Sequence, residues 1–361
     1  MKSGRALFIS AYLPSTNVPA AGNRLSGSAL EDYASRFETV DVVSFCNATT
    51  RDFERDFKDY PNTHSTLFNI TKSRRLGAML RHPLLPSGVA VRRYLAASHV
   101  RDLLARHQYD EIFVDFIQAL GIVDDTLWPK VHLRLHDVML QLYRRQGKEL
   151  SPAGLIGRVE TARCAGWEPD ALRRVGRLSC LTEKDADIIR GFTGPRQIDI
   201  APPSGFFVVK GRVPAGIDPH MILFWGNMSR KENVDAVLHF TRNLLPAIRA
   251  EIPEARLVAA GANPPQSAME ATGGDVTWTG FVDTPDELFL SCGIGVAPLL
   301  SGAGVKIKVL EFLHSGIPTV ATTVGAEGIP ADPLLHVHDD DASFIRTCIS
   351  LIREAERTSR A

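Results

Sequence analysis

Short apolar runs alternate with helix-length amphipathic stretches along nearly the whole chain, and this alternation constrains the fold more than any other feature. Residues 6–10, 40–45, 111–116, 131–136 and 178–182 read as buried strands, with helices over about 26–37 and 153–177 between them. Prolines and glycines then cluster at 200–205 and 210–219, and the pattern restarts with strands at 221–225, 256–260, 274–281, 294–300 and 318–322. Helices reach about residue 249, begin again near 284, and cover 306–314 and the end of the chain to about 357. Strand–helix repetition of this kind predicts an α/β protein with parallel sheets covered on both faces. With 361 residues, the chain has room for about two domains.

In open α/β sheets ligands bind beyond the carboxyl ends of strands, so the strand-to-helix loops carry the functional candidates. The richest is 299–328, LLSGAGVKIKVLEFLHSGIPTVATTVGAEG. Gly302 and Gly304 permit a tight turn, and Lys306 to His314 reads as a helix closed by Gly316. A glycine turn opening a helix directs free N–H groups and a positive dipole end at a ligand, with phosphate the obvious guest. Lys308 and Glu311, three apart, read either as a surface ion pair or as part of that site. Gly22 lies in a turn-rich first loop, where it is either a simple turn residue or a point of close backbone approach. His136, at a strand end beside Asp137, is either a structural histidine or a group that binds a sugar hydroxyl or moves a proton. Arg230 and Lys231 stand at a helix start, where the dipole disfavours cations unless an anion binds. The run His336, His338, Asp339 to Asp341 reads as helix capping in preference to a metal site. The absence of G-x-G-x-x-G counts against a dinucleotide dehydrogenase.

Charge divides unevenly although the net is zero: residues 1–200 carry 28 Lys+Arg against 23 Asp+Glu, and residues 201–361 carry 13 against 18. An anionic surface or acceptor for the first half follows, with no indication of nucleic acid. Residues 71–106 hold eight basic side chains and one acidic, interleaved with apolar ones, and read as a solvated helix or as a peripheral contact with an anionic membrane. Cys46, Cys164, Cys180, Cys292 and Cys348 are odd in number and widely spaced, so neither disulfides nor zinc are expected. The apolar start is too short for a leader and no run approaches bilayer length, which predicts a cytoplasmic protein, with attachment at the inner face of the plasma membrane as the alternative.

The ordered series Gly226-Asn227, Lys231-x-Asn233, Gly280-Phe-Val, Pro298, Gly302-x-Gly304-x-Lys306-x-Lys308-x-x-Glu311, Gly316-x-Pro318-x-Val320 and Glu327-Gly328 resembles the nucleotide-sugar-binding domain of family 4 glycosyltransferases of the GT-B fold. The resemblance spans about 221–357 and extends more loosely to the first half. It implies two Rossmann-like domains facing across a cleft, an acceptor-binding one at 1–205 and a nucleotide-sugar-binding one at 206–361, with the last helix, about 341–357, packing back toward the first. By the same resemblance Glu311 would bind the donor ribose, and Lys231 with Arg230 would neutralise the diphosphate. Gly22 would offer its N–H to that group, and His136 would lie beside the sugar. Gly226, Asn227, Gly302, Gly304, Val305, Lys306 and Glu327 would complete the donor site. The family expects a glutamate where this chain has Ala303, a departure that bears on the identity of the sugar.

What the resemblance implies is transfer of a hexosyl group from a UDP- or GDP-type sugar to a glycan or lipid-linked acceptor, with retention and without an obligatory metal or other cofactor. Synthesis of an envelope or exopolysaccharide is the expected setting. A nucleotide-sugar epimerase of the same fold and a non-catalytic nucleotide-sugar-binding subunit remain as alternatives.

Overall fold

The expected alternation folds into two parallel sheets. The structure is a computed structural model and describes residues 2, 4–16, 18, 21–47, 50, 61–148, 150–203, 207–282, 284–302 and 304–359. Its contacts divide the chain into Met1–Gly205 and Phe206–Ala361. Ala303, and Ser204 and Gly205 of the linker, lie outside the described residues.

The first unit contains β1 (Arg5–Ser10), α1 (Ala21–Arg36), β2 (Thr39–Cys46), β3 (Thr63–Asn69), α2 (Lys72–Arg81), α3 (Ser87–Arg106) and β4 (Glu111–Asp115). It continues with β5 (Val131–Leu135), α4 (Met139–Gln146), α5 (Pro152–Arg174), β6 (Arg177–Cys180), α6 (Glu183–Thr193) and β7 (Asp199–Ile200). The seven strands lie in the order β3-β2-β1-β4-β5-β6-β7, all paired parallel. Strand alternation sends Leu7, Ile9, Val114 and Leu133 into one core layer and Ala6, Phe8, Val42 and Phe113 into the other. Helix starts follow local chemistry: Ser151 caps α5 ahead of Pro152, and the Thr182 hydroxyl accepts from the Asp185 amide to open α6.

The second unit contains β8 (Asp218–Trp225), α7 (Lys231–His239), α8 (Leu245–Glu251), β9 (Arg256–Ala260), α9 (Gln266–Thr272), β10 (Val276–Gly280) and α10 (Asp286–Ser291). After these come β11 (Cys292–Ala297), α11 (Ile307–His314), β12 (Thr319–Ala321), β13 (Leu335–Val337) and α12 (Asp341–Ser359). Its sheet order is β10-β9-β8-β11-β12-β13, again parallel throughout. A π turn at Phe240–Leu244 joins α7 to α8, ending two residues before Pro246, whose ring nitrogen cannot donate to the helix ladder. Helix α12 packs on β8, β11 and α8 of its own unit.

Four local expectations need correction. Helix α1 begins at Ala21, so Gly22 lies in its first turn and not in a loop. The stretch 71–106 is two helices, because Pro83 and Pro86 interrupt it. Helix α5 ends at Arg174, and Arg177 opens the next strand. Strand β3, with the sequence THSTLFN, escaped the pattern because it sits at the sheet edge, where a full apolar alternation is not required. Among the described residues no helix is long and apolar enough to cross a membrane.

In each sheet the strand order reverses beside the first strand of the unit. β1 is flanked by β2 and β4, and β8 by β9 and β11. Such a switch point opens a crevice beyond the carboxyl ends of the two diverging strands, and the candidate residues gather there.

Candidate functional site

At the first switch point a carboxylate organises the surroundings. Asp115, the last residue of β4, is fully buried. Its Oδ1 accepts from Arg134 Nε and from His136 Nε2, both at 2.8 Å, and its Oδ2 accepts from the Ser26 hydroxyl at 2.6 Å and from the second Arg134 nitrogen at 3.1 Å. Four bonds use all the lone-pair positions of a carboxylate. Burial works against its charge, but the Arg134 guanidinium and His136 hold Asp115 well below the usual carboxylate range. An ionised Asp115 can only accept, so His136 donates from Nε2 and its Nδ1 takes no part in that bond.

The His136 ring stacks on Phe116, with centroids 3.7 Å apart, and Phe116 meets Tyr12 edge-on at 4.7 Å. Phe116 adopts φ 70°, a left-handed conformation that a bulky side chain holds only at a cost of about 1–3 kcal/mol. A Cβ placed on Gly22 would stand 3.1 Å from the edge of this ring, so the glycine lets the first turn of α1 close over Phe116. Gly22 and His136 are therefore brought together, by way of an aromatic residue that the sequence reading did not single out.

At the second switch point three loops converge. Gly302 and Gly304, with φ of 124° and 74°, turn the chain from β11 into α11 in conformations that favour glycine. Lys306 precedes α11 and donates to the Gly304 carbonyl at 2.7 Å, while Glu327 of the following loop lies 3.5 Å from its ammonium. Val305 is half-buried between them. Lys308, in the first turn of α11, reaches across to Asn233 Oδ1 at 2.6 Å, and Asn233 donates to the Asn227 carbonyl at 2.7 Å. The Lys308 ammonium also lies 4.1 Å from the centre of the Phe224 ring. A Cβ on Gly226 would fall 2.9 Å from it, so the bare backbone of this glycine leaves room for the lysine at the end of β8.

Burial, with Arg230 and Lys306 as neighbouring like charges, pushes the Lys308 ammonium well below its ordinary value, although Glu232 and Glu311 oppose the shift. Arg230 caps α7 and pairs with Glu232 at 2.7 Å, and the Arg230 charge keeps that carboxylate low despite its burial. Glu311 has one oxygen bonded to the Trp225 indole at 2.8 Å and the other to the Phe207 amide at 3.1 Å, and it is 1% exposed.

The second unit thus assembles Gly226, Asn227, Arg230, Gly302, Gly304, Lys306 and Glu327, together with Lys308 and Asn233. Lys231 is placed differently: its ammonium bonds Asp235, four residues on, at 2.6 Å along the exposed side of α7. The Asp339 carboxylate ties down Thr323, and that of Asp340 accepts from the Ser343 amide at the start of α12. Among the described residues no group of His, Cys, Asp and Glu is arranged to hold a metal. Sequence reading missed Asp115, Arg134, Ser26 and Phe116. Only Asp115 carried a local signal, as an acid ending an apolar strand.

Residues 219–354 match the family described as Glycosyl transferases group 1. No curated protein matches the chain in sequence. Among solved structures, HepE of Anabaena in complex with UDP and glucose is similar at 13% identity and a TM-score of 0.61, covering 99% of this chain and 92% of its own. A mutant TarM of S. aureus in complex with fondaparinux, α-GlcNAc-glycerol and UDP gives 10% identity and a TM-score of 0.62, covering 99% of this chain and 94% of its own. The α,α-trehalose 6-phosphate synthase of Burkholderia multivorans gives 11% identity and 0.59, covering 100% and 95%. The two parallel-sheet α/β units are thus those of the GT-B fold, and the second unit carries the group 1 glycosyltransferase match.

Proposed function

We propose that the chain is a glycosyltransferase that moves a sugar from a nucleoside-diphosphate sugar to a glycan or lipid-linked acceptor in the building of an envelope or exopolysaccharide. The observation that carries the proposal is the convergence of Lys306, Lys308 and Arg230 with the Gly226 and Gly302–Gly304 turns at the second switch point, inside the segment that matches the family. The HepE and TarM complexes, which hold UDP, support the same reading.

Breaking the bond from an anomeric carbon to a diphosphate builds negative charge on the leaving group and positive charge on the sugar ring. Preorganised cations and backbone N–H groups stabilise the departing diphosphate without reorganising at the moment of reaction. Lys308, Lys306 and Arg230 supply that charge, with Lys231 able to join by leaving Asp235, and the N–H groups of Gly304 and Val305 add dipoles. These groups make a metal dispensable. Glu311, its orientation fixed by Trp225 and Phe207, is the carboxylate that would meet the ribose diol. In the first unit, His136, held through Nε2 by Asp115, is suited to a sugar hydroxyl, and the N–H of Gly22 lies in the first turn of a helix, where backbone donors have no partner within the helix itself. By the family resemblance the transfer proceeds with retention, by attack on the face that the diphosphate leaves and without a covalent glycosyl-enzyme.

A thermal-shift screen against UDP, GDP, dTDP and ADP, free and as sugar conjugates, tests the donor site. A shift selective for one nucleoside diphosphate is expected, since ligands that bind only the folded state raise the midpoint. Release of that diphosphate in the presence of acceptor extracts then tests transfer. No shift with any of them would refute the donor reading, and a shift without turnover would leave a binding subunit.

A further inference from the structure

The first unit carries a surface that neither candidate site uses. On α2, Leu76 and Leu80 are 65% and 77% exposed, and Leu84, just beyond the helix, is 84% exposed. On α5, Leu155, Ile156 and Val159 are also exposed. These two apolar stripes are neighbours. Arg163 of α5 touches the sulfur of Met79, and the Glu160 carboxylate accepts from the Ser87 amide at the start of α3. Residues 156, 159, 160 and 163 share one side of α5, so Ile156 and Val159 continue the surface from the point where α5 meets α2.

The rim is basic. Lys72, Arg75 and Arg81 of α2 and Arg158 of α5 are exposed. No aspartate or glutamate occurs between residues 61 and 101 or between 150 and 159. Glu160, the next acid on α5, is buried and paired with Arg163 at 2.6 Å. Tyr94 of α3 is half-exposed, with its hydroxyl beside Gly77 of α2, the amphipathic placement of a residue at a headgroup boundary.

We propose that this α2–α5 face docks on an anionic lipid bilayer, with the leucines and Ile156 reaching the acyl boundary and the arginines meeting the phosphates. Charge decides against a second copy of the chain: a two-fold contact lays each patch on its own equivalent, and here that sets basic rim against basic rim, with no exposed acid on α2 or α5 among the described residues of the patch to complement it. An apolar stripe inside a cationic rim, on helices that among the described residues are not apolar enough to span a bilayer, has the chemistry of a surface that lies on a membrane.

Flotation of the full-length protein with vesicles tests the proposal. The chain should float with phosphatidylcholine vesicles containing phosphatidylglycerol, remain behind with phosphatidylcholine alone, and be released by high salt. Arg75→Gln with Arg81→Gln should weaken partitioning about thirtyfold, and Leu80→Ser with Ile156→Ser at least about tenfold. All four positions are exposed, so unchanged melting temperatures should accompany these losses. Failure of the wild-type chain to float with either vesicle would overturn the proposal, as would equal flotation with both. A wild-type dimer converted to monomer by the Leu80 and Ile156 changes would assign the face to a second copy instead.

Discussion

Asp115 shows how much can depend on one residue with no chemistry of its own to perform. Its four hydrogen bonds hold Ser26, Arg134 and His136, and through His136 they fix the ring that stacks on Phe116. His136 was legible from its place at a strand end. Asp115 was not recognisable as its partner, because the register that sets Asp115 opposite Arg134 is a property of the β4–β5 pairing and not of either segment. Replacing Asp115 with Asn leaves the largely covered Arg134 charge without an anion, and should destabilise the first unit by about 3 kcal/mol at neutral pH. The pH dependence follows from the direction of the shift. A carboxylate whose folded value lies below its ordinary 3.8 contributes stability above that pH and loses it as the pH falls. Urea unfolding of the wild type and Asp115→Asn should therefore differ most at pH 7 and converge below about pH 4. A difference that persists undiminished at pH 3 would mean that Asp115 acts through shape and not through charge.

At the scale of elements, the glycine turn into α11 was readable because its signals are local: Gly302, Gly304, Lys306 and the closing Gly316 follow one another. What α11 meets was not readable. Lys308 finds Asn233 seventy-five residues away, and Glu311 finds Trp225 and Phe207, where the spacing alone suggested a Lys308–Glu311 pair. Lys231, the lysine marked in the sequence, faces Asp235 with 68% of its side chain exposed. Two lysines in such different settings should answer differently to substitution. Lys308→Met removes a desolvated charge and should weaken nucleoside-diphosphate binding about ten- to hundredfold, whereas Lys231→Ala, which breaks an exposed pair, should cost less than about fivefold. Because burial depresses Lys308 and a bound anion would favour its charged form, binding should be accompanied by proton uptake in the wild type that is lost in Lys308→Met. Calorimetry in buffers of different ionisation enthalpy reads this directly. A larger loss in Lys231→Ala would show that the exposed lysine turns inward and carries the diphosphate.

For the whole molecule, the class of fold was legible because parallel strands buried on both faces write themselves as continuous apolar runs, and the cluster of prolines and glycines marked the joint. Edge strands β3, β7 and β13 were not legible, being short or polar. Each unit has its own core, Leu7, Val114 and Leu133 anchoring one and Ile222, Phe224 and Val296 the other, and each has its own switch point. Every cation of the proposed donor site belongs to the second unit. If that unit holds the nucleotide, residues 206–361 expressed alone should fold, as judged by a cooperative melt, and bind the nucleoside diphosphate preferred by the full chain within about tenfold, since only the contributions of the first unit are lost, among them the Gly22 N–H, a single hydrogen bond to a charged group. Residues 1–205 expressed alone should fold and show no nucleotide-dependent shift. A folded second unit that does not bind, while the intact chain does, would place essential donor contacts in the first unit and raise Gly22 and His136 from supporting to primary roles.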